Sequence, residues 1–309
     1  MNFNVIGVGE ALWDLLLTGP QLGGAPANFA YHAHALGAHA QVVTRVGNDD
    51  YGREIIRRFH AMGLPETTVQ VDKTSPTGTA KVALSGDGLA HFTIQANVAW
   101  DCIAVTDEAV AVARRADAIC FGSLAQRCEP SRRTIQRLVA ETPADALRVF
   151  DINLRQQFYS HSVVEQSLQL ANVLKLNDDE LPVLASMFGL TGPSERQIER
   201  QIDYEIEDQI ERLAQTFSLR LVALTRGANG SLLYLSDKRR WSDFASRPVK
   251  VVDTVGAGDS FTAALVLGLL RKMDLDEING IANEVARYVC SQPGATPSLP
   301  AELAQQFSI

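Results

Sequence analysis

Short apolar runs alternate with longer helical stretches along most of this chain. The apolar runs lie at residues 5–9, 42–46, 118–122, 147–152, 173–176, 221–225 and 231–235. Helical segments are predicted at 25–36, 52–62, 107–115 and 130–140, behind a capping box at 194–197, and from Ser260 and Asp276. Uniformly apolar strands that alternate with helices predict an α/β domain, in which helices flank a mainly parallel sheet.

The segment from about residue 67 to 93 has a different pattern, because polar and apolar residues alternate along it. This alternation predicts strands with one exposed face, and the glycines at 86–88 predict a hairpin turn. We therefore expect a small antiparallel sheet, separate from the main sheet, that is a candidate lid. Trp100 and Asp101 follow it, and they either close over a ligand or form a buried aromatic residue beside a helix-capping carboxylate.

The composition of the 309-residue chain limits the classes of function. Hydrophobic residues form 46% of the chain and charged residues 21%, which excludes a disordered or fibrous protein. The net charge of −8 argues against nucleic-acid binding, which usually needs a basic surface. The amino terminus lacks a signal-peptide pattern, the apolar run at 261–270 is too short to span a bilayer, and the four cysteines have no zinc spacing. We expect a cytoplasmic protein without membrane or nucleic-acid partners.

A glycine-rich turn, Gly256-Ala257-Gly258, leads directly into the apolar helix that we predict from Ser260. Small residues let backbone N–H groups converge, and a helix N-terminus adds partial positive charge, so this turn suits a phosphate group. Asp259 stands at the start of the helix, where a carboxylate could accept a proton from an attacking hydroxyl. On these residues alone, an ordinary loop with Asp259 as a helix cap is also compatible.

Further motifs accompany this turn in a fixed order. They are Gly-Gly-Ala-Pro-Ala-Asn at 23–28 with Arg-Val-Gly-Asn-Asp-Asp-Tyr-Gly at 45–52, then 151–155, 175–180, 225–230, 253–259 and 294–298. Together they resemble the signatures of the PfkB, or ribokinase-like, carbohydrate kinases, over nearly the whole chain. The chain contains no Walker A sequence. The resemblance implies one ribokinase-like α/β domain over 1–309, with a mainly parallel sheet flanked by helices and a small β-sheet lid at about 12–22 and 67–98.

The resemblance also implies an activity, because this family transfers the γ-phosphoryl group of ATP to a sugar hydroxyl. It assigns Asp259 as the general base and the backbone of 255–258 as an anion hole, with Gly256, Ala257 and Gly258 as its catalytic turn. The sugar-binding residues that it implies are Asp14, Gly24, Asn28, Asn153 and Arg155. Read without the family, Asn28 could instead cap a helix, and Asp14 could lie in a surface turn.

The family pattern divides the remaining site residues between nucleotide and ions. The nucleotide-binding residues that it implies are Lys175, Asn177, Thr225, Gly227, Gly230 and Asn283. Glu180 would help to place Mg²⁺, as this element of the family often does through water, because Mg²⁺ keeps several waters. Some members also bind K⁺ through backbone carbonyls, and the corresponding positions are Asp253, Val255, Gly294 and Ser298. The expected partners are a sugar and ATP, and the lid is a candidate homodimer contact.

The segment at 9–14, Gly-Glu-Ala-Leu-Trp-Asp, is most similar to bacterial fructokinases. D-fructose, phosphorylated on its 6-hydroxyl, is therefore the expected acceptor. Ribokinases usually carry lysine after the glycine pair, where this chain has Ala25. Other acceptors remain open, namely ribose, a nucleoside, or 2-keto-3-deoxygluconate, whose negative charge would need a cation such as Arg155 or Arg45. A sugar-sensing regulator without catalysis is the alternative of another class.

Overall fold

The computed structural model describes residues 3–16, 19–84, 90–192 and 205–307. Its strands are β1 (Asn4–Val8), β2 (Leu12–Leu16), β3 (Gly19–Gly23), β4 (His39–Gly47), β5 (Val69–Asp72), β6 (Gly78–Leu84), β7 (Ala90–Ile94), β8 (Ala118–Phe121), β9 (Leu147–Asp151), β10 (Val173–Asn177), β11 (Leu221–Thr225), β12 (Ser231–Leu235) and β13 (Arg240–Phe244). Its helices are α1 (Ala25–Ala35), α2 (Asp50–Ala61), α3 (Asp107–Ala113), α4 (Glu129–Glu141), α5 (His161–Leu170), α6 (Glu180–Met187), α7 (Glu205–Thr216), α8 (Ala257–Leu270), α9 (Leu275–Cys290) and α10 (Ala301–Gln305). The turn predicted at 86–88 and the capping box predicted at 194–197 lie outside the described residues.

The main sheet has the strand order β13-β12-β11-β10-β9-β8-β1-β4-β5. From β11 to β5 all neighbours run parallel, whereas β12 and β13 extend the sheet as antiparallel pairs. Neighbouring residues of β1 belong to different cores. Val5 is part of the core that includes α1, α2, α8 and α9, and Ile6 is part of the core that includes α3 to α7. Helices therefore cover both faces, as the apolar runs predict. In the described part of the chain, no helix is long and apolar enough to cross a membrane.

The small sheet differs from the expectation in two ways. Its order is β3-β2-β6-β7, and its central pair, β2 with β6, is parallel. The expectation was also wrong for β5, which pairs in parallel with β4 and so forms the edge of the main sheet. The Thr68 hydroxyl donates to the Val42 carbonyl at 2.8 Å, and Asp72 pairs with Arg45 at 2.8 Å. An edge strand is covered on one face, so its sequence alternates as an antiparallel strand does.

Arg127 connects the small sheet to the main body. Its guanidinium bonds both carboxylate oxygens of Asp101, at 2.7 and 2.8 Å, and donates to the Gln95 carbonyl just beyond β7 at 2.6 Å. It also stacks 3.9 Å from the ring centroid of Trp100, which is fully buried. The structure thus supports the interpretation of Trp100 as a buried aromatic residue. Asp101 accepts a hydrogen bond from the Val98 amide and holds the buried guanidinium.

We expect Asp101→Asn to lower the free energy of unfolding by about 3–5 kcal/mol, because it leaves the buried Arg127 charge without a carboxylate. Urea unfolding at neutral pH measures this change. Asp50→Asn is the control, since it removes an exposed carboxylate that pairs with Arg53 on the surface of α2 and should leave the midpoint unchanged. Equal midpoints for Asp101→Asn and wild type would show that the buried pair does not stabilise the fold.

Candidate active site

Asp259 and Asn28 meet where the first turns of α8 and α1 face each other. Asn28 donates its Nδ2 hydrogen to Asp259 Oδ2 at 2.9 Å, and both side chains are buried. Neither residue is a helix N-cap, since Gly24 caps α1 and Gly256 caps α8. The structure therefore does not support the alternative in which they are simple caps. Their contact joins two motifs that lie at opposite ends of the sequence.

Several buried carboxyl groups surround this contact. Burial raises the pKa of Asp259 to about 6, with a further rise from Asp151 and an opposing effect from Lys175. Burial also raises the pKa of Glu10 to about 7 and that of Asp14 to about 6. Glu10 follows β1 and lies close enough to Asp259 for the two charges to repel. A carboxylate with a pKa near 6 is ionised at neutral pH, as a general base must be.

We expect kcat/KM to decline on the acid side with an apparent pKa of about 6. Only the ionised Asp259 carboxylate can accept a proton, so activity is present above this pKa and is lost as the pH falls through it. Below it the rate should fall about tenfold per pH unit. Initial rates over a pH series, corrected for enzyme stability at each pH, measure this limb. A rate that stays constant to about pH 5 would contradict a base of this kind.

The predicted sugar-binding residues converge around the base. Gly24 has a φ of 114°, and a Cβ there would stand 2.4 Å from the Glu10 carbonyl oxygen. Asp14 on β2 is half-buried, and Arg155 lies near enough to lower its pKa. Arg155 is exposed and donates from Nη2 to Asn153 Oδ1 at 2.7 Å. Arg155 thus lies near both Asp14 and Asp259, and Gly24 packs against Glu10, which also lies near Asp259.

Lys175 is almost completely buried, unlike the open nucleotide contact that the resemblance implies. It is 5% exposed, and its ammonium donates to Asp151 Oδ1 at 3.1 Å. Thr262 Oγ1 on α8 lies 2.9 Å from Asp151 Oδ2. The sequence motifs assign no role to Thr262, and they include Asp151 only as the first residue of the motif at 151–155. Their place in the fold could have indicated a role. Asp151 ends β9 and Thr262 lies near the start of α8, so both lie at the carboxyl edge of the parallel strands, where ligands bind in such sheets.

Asn177 and Glu180 hold the backbone at the end of β10. The two carboxylate oxygens of Glu180 accept the Leu154 and Asn177 amides, each at 2.9 Å. Asn177 Oδ1 in turn accepts the Asp179 and Glu180 amides at the start of α6. The oxygens of Glu180 are already engaged, so this residue fits a contact to Mg²⁺ through water better than direct ligation.

The predicted nucleotide turn follows β11. Thr225 Oγ1 donates to the Leu176 carbonyl at 3.3 Å. Gly227 and Gly230 both have positive φ, and a Cβ on Gly230 would stand 1.9 Å from a backbone oxygen of β13. Asn283 on α9 is buried and donates from Nδ2 to Ser231 Oγ at 2.7 Å. Through its amide, Asn283 therefore supports the start of β12, which directly follows this turn.

The four positions expected to face K⁺ lie on two loops that Asp253 ties together. Its carboxylate accepts the Val255 amide at 3.0 Å and the Gly294 amide at 3.1 Å. The Ser298 carbonyl accepts the Tyr288 hydroxyl at 3.0 Å. A carbonyl oxygen has a second lone pair, so the Ser298 carbonyl keeps an acceptor site beside this contact.

The second loop also supports the anion-binding turn. Gly256 has a φ of 79°, and a Cβ there would stand 2.3 Å from the Ala295 carbonyl oxygen. The same oxygen contacts His32 Nε2 at 2.9 Å. Burial lowers the pKa of His32 to about 4, so the neutral ring donates from Nε2. His32 is thus a support of this loop, packed into the core of the molecule.

A model of the pfkB family carbohydrate kinases matches residues 19–302. The chain belongs to the PfkB family. Its PfkB relatives include a fructokinase of Escherichia coli, 27% identical over 97% of each chain. A sugar kinase from Pyrococcus horikoshii, solved with ATP, is 26% identical with a TM-score of 0.78 over 99% of each chain. A fructokinase from Vibrio cholerae O395, solved with fructose, ADP and calcium, is 24% identical with a TM-score of 0.77 over 99% of each chain.

These similarities confirm the ribokinase-like fold and the membership that the motifs indicated. A PfkB carbohydrate kinase transfers a phosphoryl group to a sugar, so the chain is a sugar phosphotransferase. The alternative of a regulator without catalysis is therefore not retained.

Proposed function

We propose that this PfkB kinase transfers the γ-phosphoryl group of ATP to the 6-hydroxyl of D-fructose, with Asp259 as the general base. The observation that carries the proposal is the buried Asp259 carboxylate, held by Asn28 in the first turn of α8 beside a glycine turn. A carboxylate there is poised to take the proton of a hydroxyl that attacks a phosphate bound at the helix N-terminus. The relatives named fructokinase support the choice of acceptor.

The surrounding residues have separate tasks in this reaction. Asp14, Gly24, Asn28, Asn153 and Arg155 orient the sugar so that one hydroxyl faces Asp259. The backbone N–H groups of 255–258 stabilise the charge that develops on the transferred phosphoryl group. The small sheet closes over the site as a lid, which excludes water and limits hydrolysis of ATP. A homodimer that pairs two such lids stays a prediction.

The remaining residues of the proposed site bind the nucleotide and the ions. Asn177, Thr225, Gly227 and Gly230 form the ATP side, and Asn283 supports it from behind, whereas Lys175 is buried against Asp151. Glu180 would hold Mg²⁺ through water, and bound Mg²⁺ neutralises charge on the phosphates. The carbonyls of Asp253, Val255, Gly294 and Ser298 would hold K⁺ behind the anion hole.

The charges near the base favour a neutral sugar over a sugar acid. Glu10, Asp14 and Asp259 are carboxyl groups, and the cations near them are Arg155 and Lys175, of which Lys175 is paired with Asp151. Arg45, the other candidate cation, is bound by Asp72. A carboxylate on the acceptor would be repelled by this pocket, which disfavours 2-keto-3-deoxygluconate.

An acceptor panel with Mg²⁺-ATP tests the proposed function. Fructose should show a kcat/KM at least about tenfold above those of ribose, 2-keto-3-deoxygluconate and a nucleoside. Phosphorus NMR of the product should place the phosphate on the 6-oxygen, and 6-deoxyfructose should inhibit without reacting. A higher kcat/KM for another acceptor would show that fructose is the wrong assignment. Omitting K⁺ in a parallel series tests the cation site.

A further inference from the structure

We propose that Lys175 is a positioning residue and is not a ligand of the nucleotide. From the side of the main sheet, it supports the anion-hole turn and holds a positive charge near Asp259. The inference rests on the proposed role of Asp259 as the base. It departs from the expectation that Lys175 faces the phosphates of ATP.

The Lys175 ammonium group lies between the sheet and the anion-hole turn. Lys175 on β10 lies directly opposite Asp151 on β9 in the parallel register, and their side chains bond at 3.1 Å. Both residues are at most 5% exposed. A Cβ on Gly258 would stand 3.0 Å from Lys175 Nζ. The ammonium therefore fills the space that glycine leaves on the inner side of the catalytic turn.

Thr262 links the same pair to helix α8. Its Oγ1 lies 2.9 Å from Asp151 Oδ2 and 2.9 Å from the Gly258 carbonyl oxygen. The Asp151 carboxylate thus contacts β10 through Lys175 and the first turns of α8 through Thr262. This arrangement fixes the turn against the sheet, where a small displacement would misplace the backbone N–H groups.

Several charged groups near Asp259 shift the pKa of its carboxyl group. The groups that face it are Asn28 on α1, Glu10 after β1, Cys120 on β8, Asp151 on β9, Arg155 after β9 and Lys175 on β10. Burial disfavours the charge of Lys175, but Asp151 and Glu180 outweigh burial and raise the pKa of this ammonium. Lys175 therefore stays charged and lowers the pKa of Asp259, whereas Asp151 raises it.

Lys175→Met and Asp151→Asn should consequently shift the acid limb of kcat/KM in opposite directions. Loss of the lysine charge moves the limb to higher pH, and loss of its support for the turn lowers the rate at every pH. Together these effects should lower kcat/KM about 10²-fold near neutrality, with a partial recovery at alkaline pH. Loss of the Asp151 charge moves the limb to lower pH. The KM for ATP should stay at the wild-type value in both variants. A purely structural role would lower the rate equally at every pH, and a nucleotide contact would raise the KM.

Two further variants separate charge from folding. Lys175→Gln keeps an N–H donor for Asp151 without the charge, and it should show the same limb shift as Lys175→Met. Arg212→Met is the matched control, because its guanidinium bonds the Leu190 carbonyl outside the site. It should leave the limb in place. Thermal melting of each variant at each pH reports the folded fraction, and each rate is divided by that fraction before the limb is located.

The inference is overturned if the limb stays in place in both lysine variants, if Asp151→Asn shifts it in the same direction, or if the KM for ATP rises instead. Asp259→Asn distinguishes this failure from that of the proposed function. If Asp259→Asn is inactive and the limb of the Lys175 variants is unmoved, only the inference fails. If Asp259→Asn retains turnover, Asp259 is not the base, and both fail.

Discussion

Replacing Asp259 by asparagine is expected to lower kcat by about 10²-fold to 10⁴-fold, the usual contribution of a positioned general base. Asparagine has nearly the same shape, and its amide oxygen can still accept the 2.9 Å hydrogen bond from Asn28. The fold and the binding of both substrates should therefore persist. The loss should fall on kcat, because the missing group accepts a proton only during reaction.

Steady-state rates and calorimetric titration with fructose measure these two effects separately. Asp72→Asn is the matched control, since Asp72 is a carboxylate of similar burial that pairs with Arg45 away from the base. It should lose stability but keep the turnover of each folded molecule. A kcat for Asp259→Asn within about tenfold of the wild-type value would exclude Asp259 as the base.

Gly256→Ala is expected to lower kcat by at least about 10²-fold, comparable to the loss of an oxyanion donor. Gly256 has a φ of 79°, and its added Cβ would lie 2.3 Å from the Ala295 carbonyl oxygen. The Cβ is fixed by its own backbone, and the oxygen belongs to the backbone of the other loop, so one of the two loops must move. The N–H groups at the start of α8 would then no longer point at the transferred phosphoryl group.

Gly37→Ala separates this clash from backbone strain. Gly37 also has a positive φ, of 97°, but a Cβ there would meet nothing within 4 Å. It should lower the free energy of unfolding by about 1–3 kcal/mol, as strained positions do, and leave kcat unchanged. Thermal melting and steady-state rates of both variants test this. An equal kcat for the two variants would show that the Gly256 position does not control the turn.

The sequence predicted the main sheet well because its strands are apolar on both faces. The run at 221–225 coincides with β11 (Leu221–Thr225), and the other parallel strands differ by a few residues at their ends. Helix α8 begins before the predicted Ser260, because the left-handed Gly256 caps it. The assignment of β5 to the small sheet failed because residue alternation reports one-sided burial and does not identify the neighbouring strand.

The candidate site could be read from the sequence where one motif carries several residues, as at 253–259. The Asp151–Lys175 pair was not predictable in this way, because it depends on the register between two strands. Each residue lies near the end of an apolar run, and knowledge that β9 and β10 are neighbours would have suggested the contact. The burial of Glu10 also depends on packing by α1 and α8, which no local pattern encodes.

The bond between Asn28 and Asp259 spans 231 positions of the chain. On the proposed mechanism, the segment that carries Asn28 therefore leaves the ribosome long before the base that it orients. A nascent chain that ends before Asp259 has the amide but no proton acceptor, so it would not phosphorylate a sugar. Catalytic activity would then report that these two distant segments have both been translated and have packed together.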